Sequence, residues 1–137
     1  MITAYFDGGS RGNPGPAGFG AFIIDEDGSV LAEIFGGIGV ATNNVAEYRG
    51  LLAALQWAVD RGVTALHVVG DSLLLVEQMR GNYRVKNSGL IPLHQQARAL
   101  VGRIGHVTFE HVPREKNTDA DRLSNLGMDA NGGSSAP

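Results

Sequence analysis

The sequence contains no cysteine. That excludes a disulfide framework, a thiolate nucleophile and a zinc–thiolate site, so any metal must be held by oxygen or imidazole, and hard cations are favoured. No apolar run approaches the roughly 18 residues needed to cross a bilayer, and no membrane partner is expected. The start, Met1-Ile2-Thr3-Ala4-Tyr5-Phe6-Asp7, lacks the basic flank and cleavage site of a secretory signal, so a cytoplasmic address is expected. Positive charge is not in excess either: 11 Lys and Arg against 14 Asp and Glu give a net charge of −3. Binders of phosphate backbones usually carry a basic footprint, so this balance counts against nucleic acid. It counts for less if several acids gather around a divalent ion, which reverses the local sign. His67, His94, His106 and His111 form no His-x-x-x-His pair, which disfavours a zinc site. No Gly-x-Ser-x-Gly elbow occurs, Gly8 to Gly18 lacks the Lys-Ser/Thr ending of a phosphate loop, and Gly37-Ile38-Gly39-Val40-Ala41-Thr42 lacks the third glycine of a dinucleotide fingerprint.

What remains is an ordinary single-domain composition, 137 residues with 43% hydrophobic side chains. Ile2 to Phe6 reads as a strand ending at Asp7 and a glycine-rich turn. Phe19 to Asp25 and Ser29 to Phe35 flank Glu26-Asp27-Gly28, a hairpin turn between apolar segments. From Val45 to Val59 apolar residues recur at helical spacing, and Arg61-Gly62 supplies a stop. Ala65 to Val69 reads as a buried strand leading through Gly70-Asp71-Ser72 into a helix reaching about Met79. A further helix is predicted over Ile91 to Val101 with Pro92 in its first turn, then a strand over Val107 to Val112, a loop over Pro113 to Asn117 and a helix over Asp119 to Met128. Five strands and four helices in this order imply an α/β fold, a mixed sheet flanked by helices and parallel among the first, fourth and fifth strands. The domain is expected to end at residue 128. Residues 129–137, with linker composition, are expected to be a disordered tail.

Four carboxylates stand at element ends, and each has an ordinary structural explanation. Asp7 can be a turn residue. Glu47 can close a capping box begun by Asn44, Asp71 can cap the helix that follows it, and Asp121 can close a box begun by Thr118, with Asp119 an equal competitor for any metal. Taken together they say more. Asp7 and Asp71 end neighbouring parallel strands, while Glu47 and Asp121 open helices directed to the same edge, where open α/β sheets place their ligands. Carboxylates gathered within about 4 Å would repel by several kcal/mol per pair at an effective dielectric near 20, and a divalent cation removes that repulsion. Carboxylate ligands suit Mg²⁺ or Mn²⁺, and two such ions about 4 Å apart would clamp the attacking and leaving oxygens of a phosphodiester.

The motifs Tyr5-Phe6-Asp7-Gly8-Gly9-Ser10-Arg11-Gly12-Asn13-Pro14-Gly15-Pro16-Ala17-Gly18 and Ala41-Thr42-Asn43-Asn44-Val45-Ala46-Glu47-Tyr48 resemble the type 1 ribonuclease H family. So do Val69-Gly70-Asp71-Ser72 and the segment Val112 to Leu123, in the same order, and the resemblance covers about residues 1 to 128. It implies the ribonuclease H-like fold and endonucleolytic cleavage of the RNA strand of an RNA/DNA hybrid, leaving a 5′-phosphate and a 3′-hydroxyl. Two Mg²⁺ ions, replaceable by Mn²⁺, are implied as cofactors. By resemblance Asp7 touches both, Asp121 completes the water-activating ion in preference to Asp119, and Glu47 with Asp71 holds the other. Asn13, Thr42, Asn43 and Asn44 match positions that contact the hybrid, and the backbone of Gly8, Gly9 and Ser10 would approach RNA 2′-hydroxyls, which distinguish RNA from DNA.

The chain departs from the family pattern in three places. Many members carry a mobile histidine before the last carboxylate. Here His111 falls inside the last strand and is read as structural, leaving Arg114 or Glu115 in that place. The basic protrusion of some relatives is reduced to Arg80-Gly81-Asn82-Tyr83-Arg84-Val85-Lys86, either ordinary surface charge or a patch that tracks the DNA backbone. Leu73 stands where some relatives place a glutamine that contacts substrate. Some bacterial members precede a domain resembling an acid phosphatase, and the linker-like end is compatible with such a downstream domain beyond this chain. A monomer is expected. Two other readings share the motifs: a nuclease or strand-transfer enzyme of the same fold acting on another nucleic acid, and an inactive module that binds hybrids without turnover.

Overall fold

The computed structural model describes residues 1–133, with side chains through residue 130. Five strands form one sheet in the order β3-β2-β1-β4-β5: β1 (Ile2–Ser10), β2 (Gly15–Ile24), β3 (Val30–Ala41), β4 (Ala65–Gly70) and β5 (His106–His111). β1 pairs antiparallel with β2 and parallel with β4, and β4 pairs parallel with β5, giving the expected mixed sheet. The helices are α1 (Asn43–Asp60), α2 (Leu73–Arg80), α3 (Ile91–Ile104) and α4 (Thr118–Gly133), with a single 3₁₀ turn at Arg114–Lys116. Among the described residues no helix is long and apolar enough to cross a membrane.

The period-two pattern of the strands sends Ala4, Phe6, Ala21, Ile23, Leu66 and Val68 into a core with Leu51, Ala54, Leu55 and Ala58 of α1 and with α3. Inside this apolar layer the Tyr48 hydroxyl donates to Gln78 Oε1 at 2.6 Å, so the polar ends of two buried side chains satisfy each other. Burial pushes the Tyr48 hydroxyl up to about 12. α4 covers the other face, over β2, β3 and β1.

Four segments run past their expected ends. β1 and β2 were expected to stop short of the glycines, yet Gly8, Gly9 and Ser10 continue the ladder opposite Phe19, Gly18 and Ala17. β3 likewise passes through Gly36, Gly37 and Gly39. Gly8, Gly18, Gly20 and Gly36 allow close approach, whereas Gly39 has open space where a Cβ would stand and a left-handed φ of 75°. A Cβ on Gly20 would lie 2.6 Å from Leu123 Cβ and from Ser124 N, and one on Gly18 2.3 Å from Met128 N, so α4 lies directly on the strand backbone. α4 itself continues to Gly133, where a tail was expected from residue 129. The Arg11 guanidinium donates to the Asp129 carboxylate, giving the added turn a partner on the loop after β1. The rest of the expected tail, 134–137, lies outside the described residues.

Candidate metal centre and nucleic-acid interface

Strand register sets the first contact. Tyr5 pairs with Val69 and Phe6 with Gly70, so the next residues, Asp7 and Asp71, emerge side by side at the carboxyl edge of the parallel strands. Glu47 arrives from the first turns of α1. A Cβ on Gly50 would stand 2.4 Å from Asp7 O, which shows how tightly that helix lies on β1. One carboxylate oxygen from each of Asp7, Glu47 and Asp71 lies within 4.8 Å of the other two. Asp121, from the first turn of α4, adjoins the Asp7 carboxylate and lines the same cleft, whose volume is about 350 Å³. Asp119 does not line that cleft. It pairs with Arg122, and so the structure separates the two aspartates that the local sequence left equivalent.

The capping explanations for these acids belong to other residues. Thr42, not Asn44, caps α1, its Oγ1 accepting from Val45 N–H at 3.3 Å, which leaves Glu47 outside any capping box. Ser72, not Asp71, caps α2, its hydroxyl oxygen accepting from Leu75 N–H at 3.3 Å. The same hydroxyl hydrogen-bonds to Glu47. At α4, Asn117 precedes the helix and its carbonyl accepts from Asp121 N–H.

The electrostatics are those of an acidic cluster short of positive charge. Asp7 is 8% exposed, and its carboxyl is pushed up to about 8, first by burial and then by the charge of Asp71, against the lowering effect of the Gly8 N–H. Glu47 rises to about 7 by burial and the nearby Asp71 charge, partly offset by Ser72 and by the Arg114 guanidinium. Without a cation this cluster therefore retains protons near neutrality. Its donors are all carboxylate oxygens, a set that fits Mg²⁺ or Mn²⁺ and does not fit a soft metal.

Beside the acids, Asn43 N–H donates to Asn13 Oδ1 at 3.1 Å, and Ser10 N–H donates to Asn43 Oδ1 at 2.8 Å. The loop after β1 is thus tied to the start of α1. Gly8, Gly9, Ser10 and Asn43 line the cleft, whereas Asn13, Thr42 and Asn44 lie on the exposed surface nearby. Arg114 lines the cleft and Glu115 does not. His111 ends β5 opposite Gly70 and near Glu77, inside the strand as the sequence pattern implied, and it does not line the cleft. Leu73 opens α2 and is 48% exposed.

Sequence reading passed over Asn117, Ser124, Asn125 and Met128. The last three come from the face of α4 one and two turns beyond Asp121, and all three line the cleft. Helical spacing from Asp121 was the available signal for them.

Comparison with known proteins agrees with this geometry. The reverse transcriptase-like family profile matches residues 5–127. The bifunctional protein Rv2228c of Mycobacterium tuberculosis is 56% identical over 125 residues, which are 90% of this chain and 34% of that protein. Its N-terminal RNase H domain, solved as a fusion with maltose binding protein, superposes with a TM-score of 0.94 at 52% identity, covering 98% of both chains. LC11-RNase H1, solved in complex with an RNA/DNA hybrid, gives a TM-score of 0.90 at 42% identity, covering 95% of this chain and 98% of that one. Sheet order and acidic edge together define a domain of the ribonuclease H-like fold. Within that class, the chain belongs to the type 1 ribonuclease H family. It spans about a third of the length of the mycobacterial protein.

Proposed function

We propose that this domain is a divalent-metal-dependent endonuclease that hydrolyses the RNA strand of RNA/DNA hybrids, leaving a 5′-phosphate and a 3′-hydroxyl. The observation that carries the reading is the convergence of Asp7, Glu47 and Asp71 within 4.8 Å, with Asp121 against Asp7, in an open cleft. Asp7, at the centre of the four, would contact both of two Mg²⁺ or Mn²⁺ ions; Asp121 would complete one set and Glu47 with Asp71 the other. When bound, such ions supply Lewis-acid stabilisation of charge on the reacting phosphodiester.

The chain's own side chains do the positioning. Asn43 has committed its Oδ1 to Ser10 and Asn13 its Oδ1 to Asn43, which leaves the side-chain amide N–H groups of both as the groups with which to contact a ligand. These are donors, matched to phosphate, sugar and base acceptors. Thr42 still has its hydroxyl hydrogen to give, and Asn44 stands beside it on the exposed first turn of α1. Gly8 and Gly9 place uncluttered backbone along the cleft, where an RNA 2′-hydroxyl can be read. Arg114, one of the two residues that the resemblance leaves in the place of a histidine, contributes positive charge at the cleft wall and is suited to holding the scissile phosphate.

That LC11-RNase H1 was solved in complex with an RNA/DNA hybrid supports this choice of substrate. By likeness to the bifunctional mycobacterial protein, a second, covalently linked domain is proposed for the full-length protein. The test is cleavage of an end-labelled RNA/DNA duplex with Mg²⁺, with Mn²⁺ and with chelator, beside single-stranded RNA and double-stranded DNA. Metal-dependent loss of the RNA strand of the hybrid alone is expected. Equal cutting of all three substrates, or cutting in chelator, would overturn the proposal.

A further inference from the structure

Asn117 was expected to end a loop. It does so, directly before α4, but it is also one of four buried polar or charged residues among those described, 1% exposed, and it joins the segments carrying three of the four acids. Its Nδ2 donates to the carbonyl of Phe6, the residue before Asp7, at 2.9 Å, and to Asp71 Oδ2 at 2.9 Å. Its main-chain carbonyl accepts from Asp121 N–H at 3.0 Å, and its own N–H donates to Arg114 O at 2.9 Å. One side chain and its backbone therefore touch β1 beside Asp7, the carboxylate of Asp71, the amide of Asp121 and the turn that carries Arg114.

The orientation of the amide is forced. Both side-chain partners are acceptors, so the nitrogen must face them. The price is Oδ1, which is buried and has no hydrogen-bond partner among the described residues. An unpaired buried carbonyl disfavours folding, and a residue selected only for stability would not leave one. Nor does the side chain cap α4, because Oδ1 accepts nothing from the helix.

We infer that Asn117 is a positioning residue for the metal centre: its two amide hydrogens fix the Asp71 carboxylate against β1, while its backbone sets where α4 presents Asp121. The inference rests on the proposed metal-dependent function. Asp71 without this donor is free to rotate about its side-chain bonds, and the oxygen that Asn117 now occupies is no longer distinguished from the one left for a cation. Groups that orient ligands in this way typically alter metal affinity or activity by about 10–100-fold when removed.

The test uses Asn117→Ala and the near-isosteric Asn117→Asp in the intact chain, with Mg²⁺ binding measured by calorimetry and hybrid cleavage by kcat and KM. Weaker Mg²⁺ binding and lower kcat are expected, each by about 10–100-fold, with KM for the hybrid unchanged. Asn117→Asp should be the more damaging, since it sets a carboxylate against two acceptors. Wild-type Mg²⁺ affinity and kcat in folded variants, with only the melting midpoint lowered, would overturn the inference. If neither variant folds, the wild-type protein decides: the Asn117 side-chain amide in ¹H–¹⁵N spectra should shift with the same Mg²⁺ midpoint as calorimetry, and an amide blind to Mg²⁺ overturns the role. Failure of the wild-type protein to bind Mg²⁺ or cut hybrid would instead reject the proposed function, and this inference with it.

Discussion

A Cβ placed on Gly8 would stand 2.1 Å from the carbonyl carbon and oxygen of Ala46 and 2.4 Å from Glu47 N. β1 and α1 therefore meet backbone to backbone, one residue after Asp7 and one residue before Glu47. That contact holds the two carboxylates together. Gly8→Ala is expected to push α1 off the strand, lowering stability by about 1–3 kcal/mol in urea unfolding, as overpacking of a tight contact does. Hybrid cleavage should fall as well, because Glu47 moves with the helix. A variant with wild-type unfolding and turnover would show that the contact can relax without moving the acid.

The acidic cluster should make the metal-free protein sensitive to pH in an unusual direction. Asp7 rises from 3.8 to about 8 and Glu47 from 4.5 to about 7 on folding. Over that window the folded state holds protons that the unfolded chain releases, so stability is greatest below the unfolded values and is lost as pH climbs through 7 to 8. In chelator, the melting midpoint should fall between pH 5 and pH 8. Mg²⁺ binds the folded state and competes with those protons, so it should raise the midpoint more at pH 8 than at pH 5. A midpoint in chelator that rises across this range would contradict the assigned burial of the two acids.

Asp7→Asn separates stability from function. The change removes the most buried charge of the cluster while keeping its shape, so the metal-free protein at pH 8 should melt higher by about 3 °C, the shift that roughly 1 kcal/mol gives in a domain this size. Cleavage should drop at least about a hundredfold, the scale on which removal of one fixed electrostatic group acts in an active site. Differential scanning calorimetry and the hybrid assay read the two effects independently. A variant that melts lower yet cuts normally would reverse both halves of the expectation.

Much of this architecture was legible because it is written in periodicity and chain order. Alternation in Ile2 to Phe6, the β-branched run at Val68-Val69 and the helical spacing from Val45 each mark an element that the structure contains. Asp7 and Asp71 could be brought together because a parallel pairing aligns strand ends. The glycine tracts were harder to read. Gly8, Gly18 and Gly36 fell outside the strands that alternation marks, and the close packing around them shows why strand glycines stand there. Caps were misplaced for a related reason: Asn44, Asp71 and Thr118 all have cap chemistry, and backbone geometry assigns the helix starts to Thr42, Ser72 and Asn117. Asn117 carries no local pattern at all, since its partners Phe6 and Asp71 lie 111 and 46 residues away.

Asn43 offers the most direct test of how the cleft reads its ligand. Its Oδ1 accepts from Ser10 N–H, so Asn43→Asp keeps an acceptor where the fold needs one and should leave the melting midpoint nearly unchanged. What it loses is the side-chain amide donor, and what it gains is a negative charge beside a polyanion. A hydrogen bond to a charged group contributes roughly 1.5–3 kcal/mol, equivalent to about 10–100-fold in affinity. KM for the hybrid should therefore rise on that scale while kcat at saturation changes much less, because the acids are untouched. Raising the salt concentration should shrink the KM difference, since the added repulsion is screened. If KM does not move, Asn43 serves only to tie the loop after β1 to α1, and hybrid contact must come from elsewhere on the cleft wall.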